Sequence, residues 1–90
     1  MESFKVNFKM NLIPDEGAYS LIIDSQLPIS SIMMQSRQNI DILHVKDNLA
    51  KINRIFDIRD PNIASLAYLS IDGDSEHNRL EIKIRTSEGQ

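Results

Sequence analysis

Asn78-Arg79-Leu80-Glu81-Ile82-Lys83-Ile84-Arg85-Thr86 is the stretch that decides the fold class of this chain. Leu80, Ile82 and Ile84 fall on one side of an extended backbone, and Arg79, Glu81, Lys83 and Arg85 on the other. Side chains on a strand change face with every residue, so the pattern predicts a strand with one face in a core and one in water. Ser87-Glu88-Gly89-Gln90 follows, and Glu-Gly-Gln reads as a turn leading into another strand. The expectation is a β-domain excised from a larger protein, short of its last strand.

The same alternation recurs upstream. Phe4, Val6, Phe8 and Met10 alternate with Ser3, Lys5, Asn7 and Lys9, which predicts a first strand. Asn11 to Gly17 holds Pro14, Asp15 and Gly17, residues that favour turns. Ala18 to Gln26 reads as a second strand with Tyr19, Leu21 and Ile23 on one face; Ile22 on the other suggests cover on both sides. Pro28 suits a bend or an edge. Ile29 to Ser36 is a third strand with adjacent Met33 and Met34, and Ile40 to Val45 a fourth. Ile63 to Ile71 is apolar enough for a central strand, followed by the Asp72-Gly73-Asp74-Ser75 turn.

Residues 45–58 fit two templates. Val45, Leu49, Ile52 and Phe56 are spaced as on one helix face, with Asp47 placed to cap it. Ala50, Ile52 and Ile55-Phe56-Asp57-Ile58 fit an extended strand equally well. The whole then makes about seven short strands separated by regular turn signals, the pattern of an antiparallel sandwich.

Composition sets the outer limits. Ninety residues make a single domain, residues 1–90. The hydrophobic fraction of 41% and charged fraction of 26% are those of a folded globule rather than a disordered tail. A net charge of −3, with basic residues scattered among acidic ones, argues against nucleic acid as a partner. The chain has no cysteine, which excludes disulfides and thiolate zinc sites. No apolar run approaches the ~20 residues that span a bilayer. Lys5 and Lys9 interrupt any signal-peptide pattern.

The candidates for chemistry are few. Asp72, Asp74 and Glu76 form an acidic cluster, but they lack the spacing of a calcium loop, and a hairpin turn explains Asp-Gly as well. His44 and His77 carry no accompanying carboxylate spacing of the kind zinc sites use. No Gly-x-Ser-x-Gly occurs, and three separated glycines build no phosphate-cradling loop. Arg79, Lys83 and Arg85, with Glu81 between them, read as a mixed solvated face rather than a site for an acidic peptide. Met33 and Met34 read as core packing before they read as a contact surface. Residues alone therefore nominate no catalytic residue, metal ligand or cofactor.

Three segments resemble the family of the seventh Bardet–Biedl syndrome protein. They are Ala18-Tyr19-Ser20-Leu21, then Gln35-Ser36 with Ile40-Asp41-Ile42-Leu43-His44-Val45, and most specifically Arg79 to Arg85 running into Glu88-Gly89-Gln90. The likeness covers Glu16 to Gln90, is weakest over Lys46 to Asn62, and extends to the first strand only as a pattern. It implies an all-β, immunoglobulin-like antiparallel sandwich similar to the γ-adaptin ear, and it implies that residues 46–58 are extended. It also implies a non-enzymatic scaffold role in a subunit of the BBSome, the coat-like complex that moves membrane proteins through cilia. Other BBSome subunits follow as partners, above all the second Bardet–Biedl syndrome protein. The implied location is the cytoplasm, basal body and cilium, with membranes reached only through the complex. A homodimer of the isolated fragment is expected from its open edge. Adaptin ears bind peptides through a basic pocket, but no residues here map onto it. The alternative from another class is a calcium- or carbohydrate-binding sandwich module.

Overall fold

Residues 6–71 and 77–86 are described by the structure, a computed structural model. The first strand, β1, runs Val6–Ile13, three residues past the end that its turn chemistry predicted. Pro14–Glu16 forms one 3-10 turn. Gly17 ends it at φ 60°, ψ 35°, a left-handed conformation that glycine adopts without a Cβ penalty. The second strand, β2, is Ala18–Ser25, and β3 is Ser31–Ser36, beginning after the Pro28 bend. Next come β4 at Ile40–Val45, β5 at Ala50–Ile55, β6 at Ser65–Ile71 and β7 at Arg79–Thr86.

The strands form two antiparallel sheets, ordered β1-β2-β7-β4 and β3-β6-β5. The fold is thus an all-β sandwich of seven strands, as the alternation predicted. Leu80, Ile82 and Ile84 lie on the inner face of β7 at 1%, 0% and 1% exposure. They meet Leu21 and Ile23 of β2, Ile42 and Val45 of β4, and Ala67 and Leu69 of β6 in one core. Arg79 and Arg85 stay exposed on the other face of β7.

Two local irregularities were not visible as alternation. Strict alternation would put Ile42 and Val45 on opposite faces, yet both are buried. A bulge at Leu43 reconciles them, because the register to β7 shifts between Ile42 and His44. One extra residue turns the strand by one face. The helix template for residues 45–58 does not survive. Lys46–Asn48 is a single 3-10 turn, with Asp47 at φ 60° and Asn48 at φ 54°, and strand β5 follows. Asp47 makes no capping hydrogen bond there; it turns the chain instead. Of the four helix-spaced residues, Val45, Leu49 and Ile52 do pack on the core, while Phe56 is 87% exposed. The helical spacing came from a strand end, a tight turn and the next strand, which places apolar residues at those intervals without any helix.

Strand connections stack the sheets in a definite order. Arg54 of β5 donates to the Ile42 carbonyl of β4 at 2.8 Å, so β5 lies over β4. Ile32 and Met34 of β3 pack against the cluster that holds Leu21 and Ile23 of β2. With β6 central in its sheet, four strands face three, and no described strand lies opposite β1.

Candidate functional site

β1 shows the consequence of that mismatch. Register with β2 pairs Phe8 with Ile23, Met10 with Leu21 and Leu12 with Tyr19, so the apolar side chains of β1 share the inner face of the sheet. They are nevertheless exposed, Phe8 at 75%. The apolar residues of the first strand are therefore not core. Alternation correctly grouped them on one face, but whether another layer covers a face is decided by the far sheet.

A groove of about 1040 Å³ opens beneath this overhang. Val6, Phe8 and Met10 form its roof, and Ile32 and Met34 of β3 form its inner wall. At the end where β7 finishes it is lined by Arg54, Phe56 and Ile58. A smaller recess of about 350 Å³ continues it toward Pro28 and Ile29 at the opposite end of β3. The free edge of β3 lies along the groove. Ile71 donates its N–H to the Ser30 carbonyl, which fixes the alternation of the β3–β6 ladder. Ser30, Ile32, Met34 and Ser36 accordingly turn their backbone groups to β6, and Ser31, Met33 and Gln35 turn theirs to the open side. No described strand pairs with that side.

Arg54 is the one charged side chain on the inner face of its sheet. It stands opposite Ala67 on β6, reaches the Ile42 carbonyl, and approaches the Asp41 carboxylate at 3.7 Å. It ties the two sheets together at the end of the groove where β7 finishes. With both side chains well exposed, the Arg54–Asp41 ion pair adds little to stability.

The outside of the smaller sheet carries a second apolar feature. Met33 stands opposite Tyr68, and Leu66 is flanked by Gln35 and Ile55. Met33 and Tyr68 are both exposed. The two adjacent methionines thus separate: Met34 packs on the core as expected, and Met33 faces solvent.

The other residues singled out from the sequence fall as follows. Asp72, Asp74 and Glu76 lie outside the described residues. His44 is exposed and sits opposite Lys83 in the ladder. His77 is half-buried, and its carbonyl accepts the Ile29 N–H at 2.7 Å. His44 lies opposite Lys83 within β7, whereas His77 precedes that strand, so the sheet holds the two histidines apart. The basic face of β7 is tied by ion pairs to β2 and to the two 3-10 turns. Lys83 Nζ lies 2.8 Å from Glu16, Arg79 is 3.6 Å from Asp24, and Glu81 is 3.9 Å from Lys46. Arg85 donates to the Glu16 carbonyl at 3.3 Å. These contacts make it the mixed solvated face that the sequence predicted.

A seven-stranded sandwich with an open groove and an apolar outer strip defines a β-sandwich module in which, among the described residues, surfaces rather than a chemical centre stand out. Comparison with known families narrows this class. The chain belongs to the BBS7 GAE domain family, which it matches over residues 2–90. It is also 31% identical to the mouse protein described as BBSome complex member BBS7, over 101 residues that take in 98% of this chain. The chain spans 12% of that relative's length. Family membership sets aside the alternative of a calcium- or carbohydrate-binding module from an unrelated protein.

Proposed function

We propose that this domain is a non-catalytic scaffold module of a BBSome subunit, making protein contacts that support a coat-like complex carrying membrane proteins to and through cilia. The match to the BBS7 GAE domain family over residues 2–90 carries this reading. The mouse relative is described as a BBSome complex member, which makes other subunits of that complex the natural partners. Among them the second Bardet–Biedl syndrome protein is the principal one. The implied location is the cytoplasm, basal body and cilium, with membranes reached through the complex.

The outer strip of the smaller sheet supports a contact role. Met33 and Tyr68 face each other across β3 and β6 and are exposed. Contiguous exposed apolar surface of this kind marks interaction sites. The test is co-purification of the parent subunit with the second Bardet–Biedl syndrome protein. A Met33→Glu, Tyr68→Glu double variant is expected to lower recovery by about tenfold or more, because it puts two carboxylates into an interface core. Unchanged recovery, with the variant folded, overturns the assignment of contacts to this strip.

The isolated domain is expected to pair with itself through β1. The Ser25 N–H donates to the Asn78 carbonyl, and with the β2 registers this turns the backbone groups of Val6, Phe8, Met10 and Leu12 outward. An unpaired edge with an apolar face invites pairing with a second chain, and a two-fold dimer is the common result. Light scattering over a concentration series should show a rise toward dimer mass. Phe8→Lys should weaken that association by about tenfold or more, since a charge on an edge strand opposes pairing. A domain that stays monomeric at high concentration removes this expectation.

A further inference from the structure

Among the described residues β4 and β5 are both edge strands, and they lie one over the other on the same side of the sandwich. The ladders fix where their backbone groups point. The Ser25 N–H donates to the Asn78 carbonyl, so Leu80, Ile82 and Ile84 turn their backbone groups to β2, and Glu81, Lys83 and Arg85 turn theirs to β4. Asp41, opposite Arg85, is therefore bonded to β7, while Ile40 and Ile42 point their groups to the open side. Both of these residues are already engaged there. The Ile40 N–H donates to Ser65 Oγ at 2.7 Å, and the Ile42 carbonyl accepts from Arg54 at 2.8 Å. Beyond Ile42 the bulge at Leu43 breaks the regularity of the edge.

Arg54 stands on both edges. Ile42 is buried and Asp41 exposed, so the two occupy opposite faces of β4. The same guanidinium nitrogen of Arg54 lies 2.8 Å from the Ile42 carbonyl and 3.7 Å from the Asp41 carboxylate. It therefore sits at the rim of β4, where a further strand would have to lie. On β5 the Ile71 N–H donation to Ser30 sets the alternation: Lys51, Asn53 and Ile55 bond to β6, and Ile52 and Arg54 turn their backbone groups outward. The Arg54 side chain leaves β5 on the inner face, opposite buried Ala67. A strand added to β5 would bring this charge under apolar cover, which is unfavourable. Inward-pointing charges guard edge strands against pairing for this reason.

We propose that Arg54 closes the β4–β5 side of the domain to any partner that adds a strand, a second copy of this chain included, and that Ser65 completes the closure at Ile40. One side chain serves two edges: it occupies the acceptor on β4 and keeps a charge under the flank of β5. Both strands are also short, six residues each, which limits what a partner could pair with. β1, by contrast, is eight residues long and keeps one register with β2 throughout. β1 and β4 are the opposite edges of their sheet, so the closure decides the form of any assembly. A domain that pairs through one edge stops at a two-fold dimer, whereas one that pairs through opposite edges adds copies without closing. The inference stands on the geometry of β4 and β5 and does not require that β1 pairs.

The test replaces Arg54 in a Phe8→Lys background, which opposes pairing through β1. Arg54→Leu should strengthen self-association, read by light scattering over a concentration series, by about tenfold or more relative to that background. Arg54→Lys keeps the charge and should stay at the background level. Amide hydrogen exchange locates the contact: on association of the Arg54→Leu protein, the outward N–H of Ile42 or Ile52 should gain protection while Ile82 remains protected. Should Arg54→Leu lose protection at Ile82, Arg54→Gln carries the same comparison, because it removes the charge and keeps a donor for the Ile42 carbonyl. Association no stronger than the background in the folded neutral variant overturns the proposal. Association that leaves Ile42 and Ile52 unprotected, or that Arg54→Lys shows equally, overturns it as well.

Discussion

Truncating Ile82 to alanine is expected to destabilise the domain by about 2–5 kcal/mol, the range for removing a large side chain from a close-packed core. Ile82 has no exposed surface and sits midway along β7, the strand held between β2 and β4. The vacated space is bounded by both sheets, so backbone relaxation fills little of it. A domain of this length has roughly 5–13 kcal/mol of total stability, so the loss is a large share of the whole. Lys83→Ala, one residue away, removes only the surface pair with Glu16 and should cost within about 1 kcal/mol. Denaturant midpoints measured on both variants check the face assignment. Comparable losses would mean that β7 presents its faces differently.

Leu69→Ala tests the other sheet. Leu69 is fully buried at the centre of β6 and stands between Ile32 of β3 and Ile52 of β5. The same large-to-small penalty, about 2–5 kcal/mol, is expected. The informative observation is the shape of the transition. Leu69 belongs to the same core cluster as Leu80, Ile82 and Ile84, so the three-stranded sheet should unfold together with the four-stranded one. Circular dichroism and amide exchange should therefore report one coincident transition, shifted to lower denaturant. Separate transitions for β6 and β7 would show that the sheets are independent units.

Family and fold class were legible early because each rests on local sequence. Arg79 to Thr86 alternates without interruption, and the alternation survives in the structure residue by residue. β4 begins and ends where the sequence placed it, at Ile40 and Val45. The groove was not legible. Its roof residues look in sequence like any buried strand face, since Phe8 and Met10 alternate as cleanly as Ile82 and Ile84. The outer strip was hidden for a related reason, because it assembles Met33, Tyr68, Leu66 and Ile55 from three strands. No spacing within one segment announces such a surface.

Sequence by itself determined which residues share a face, where turns fall and to which family the chain bears its likeness. Side-chain direction and turn chemistry are local, set by the backbone dihedrals of a few adjacent residues. Tertiary structure decided which faces are covered. Leu80 is buried and Phe8 is not, although both belong to apolar rows on strands of one sheet. The difference is that β7 has a strand of the second sheet above it and β1 has none among the described residues. It also decided that Val45 points inward, because the bulge at Leu43 forms only against β7. Burial depends on what other segments bring into contact, and sheet order, which sets those contacts, is a property of the whole chain.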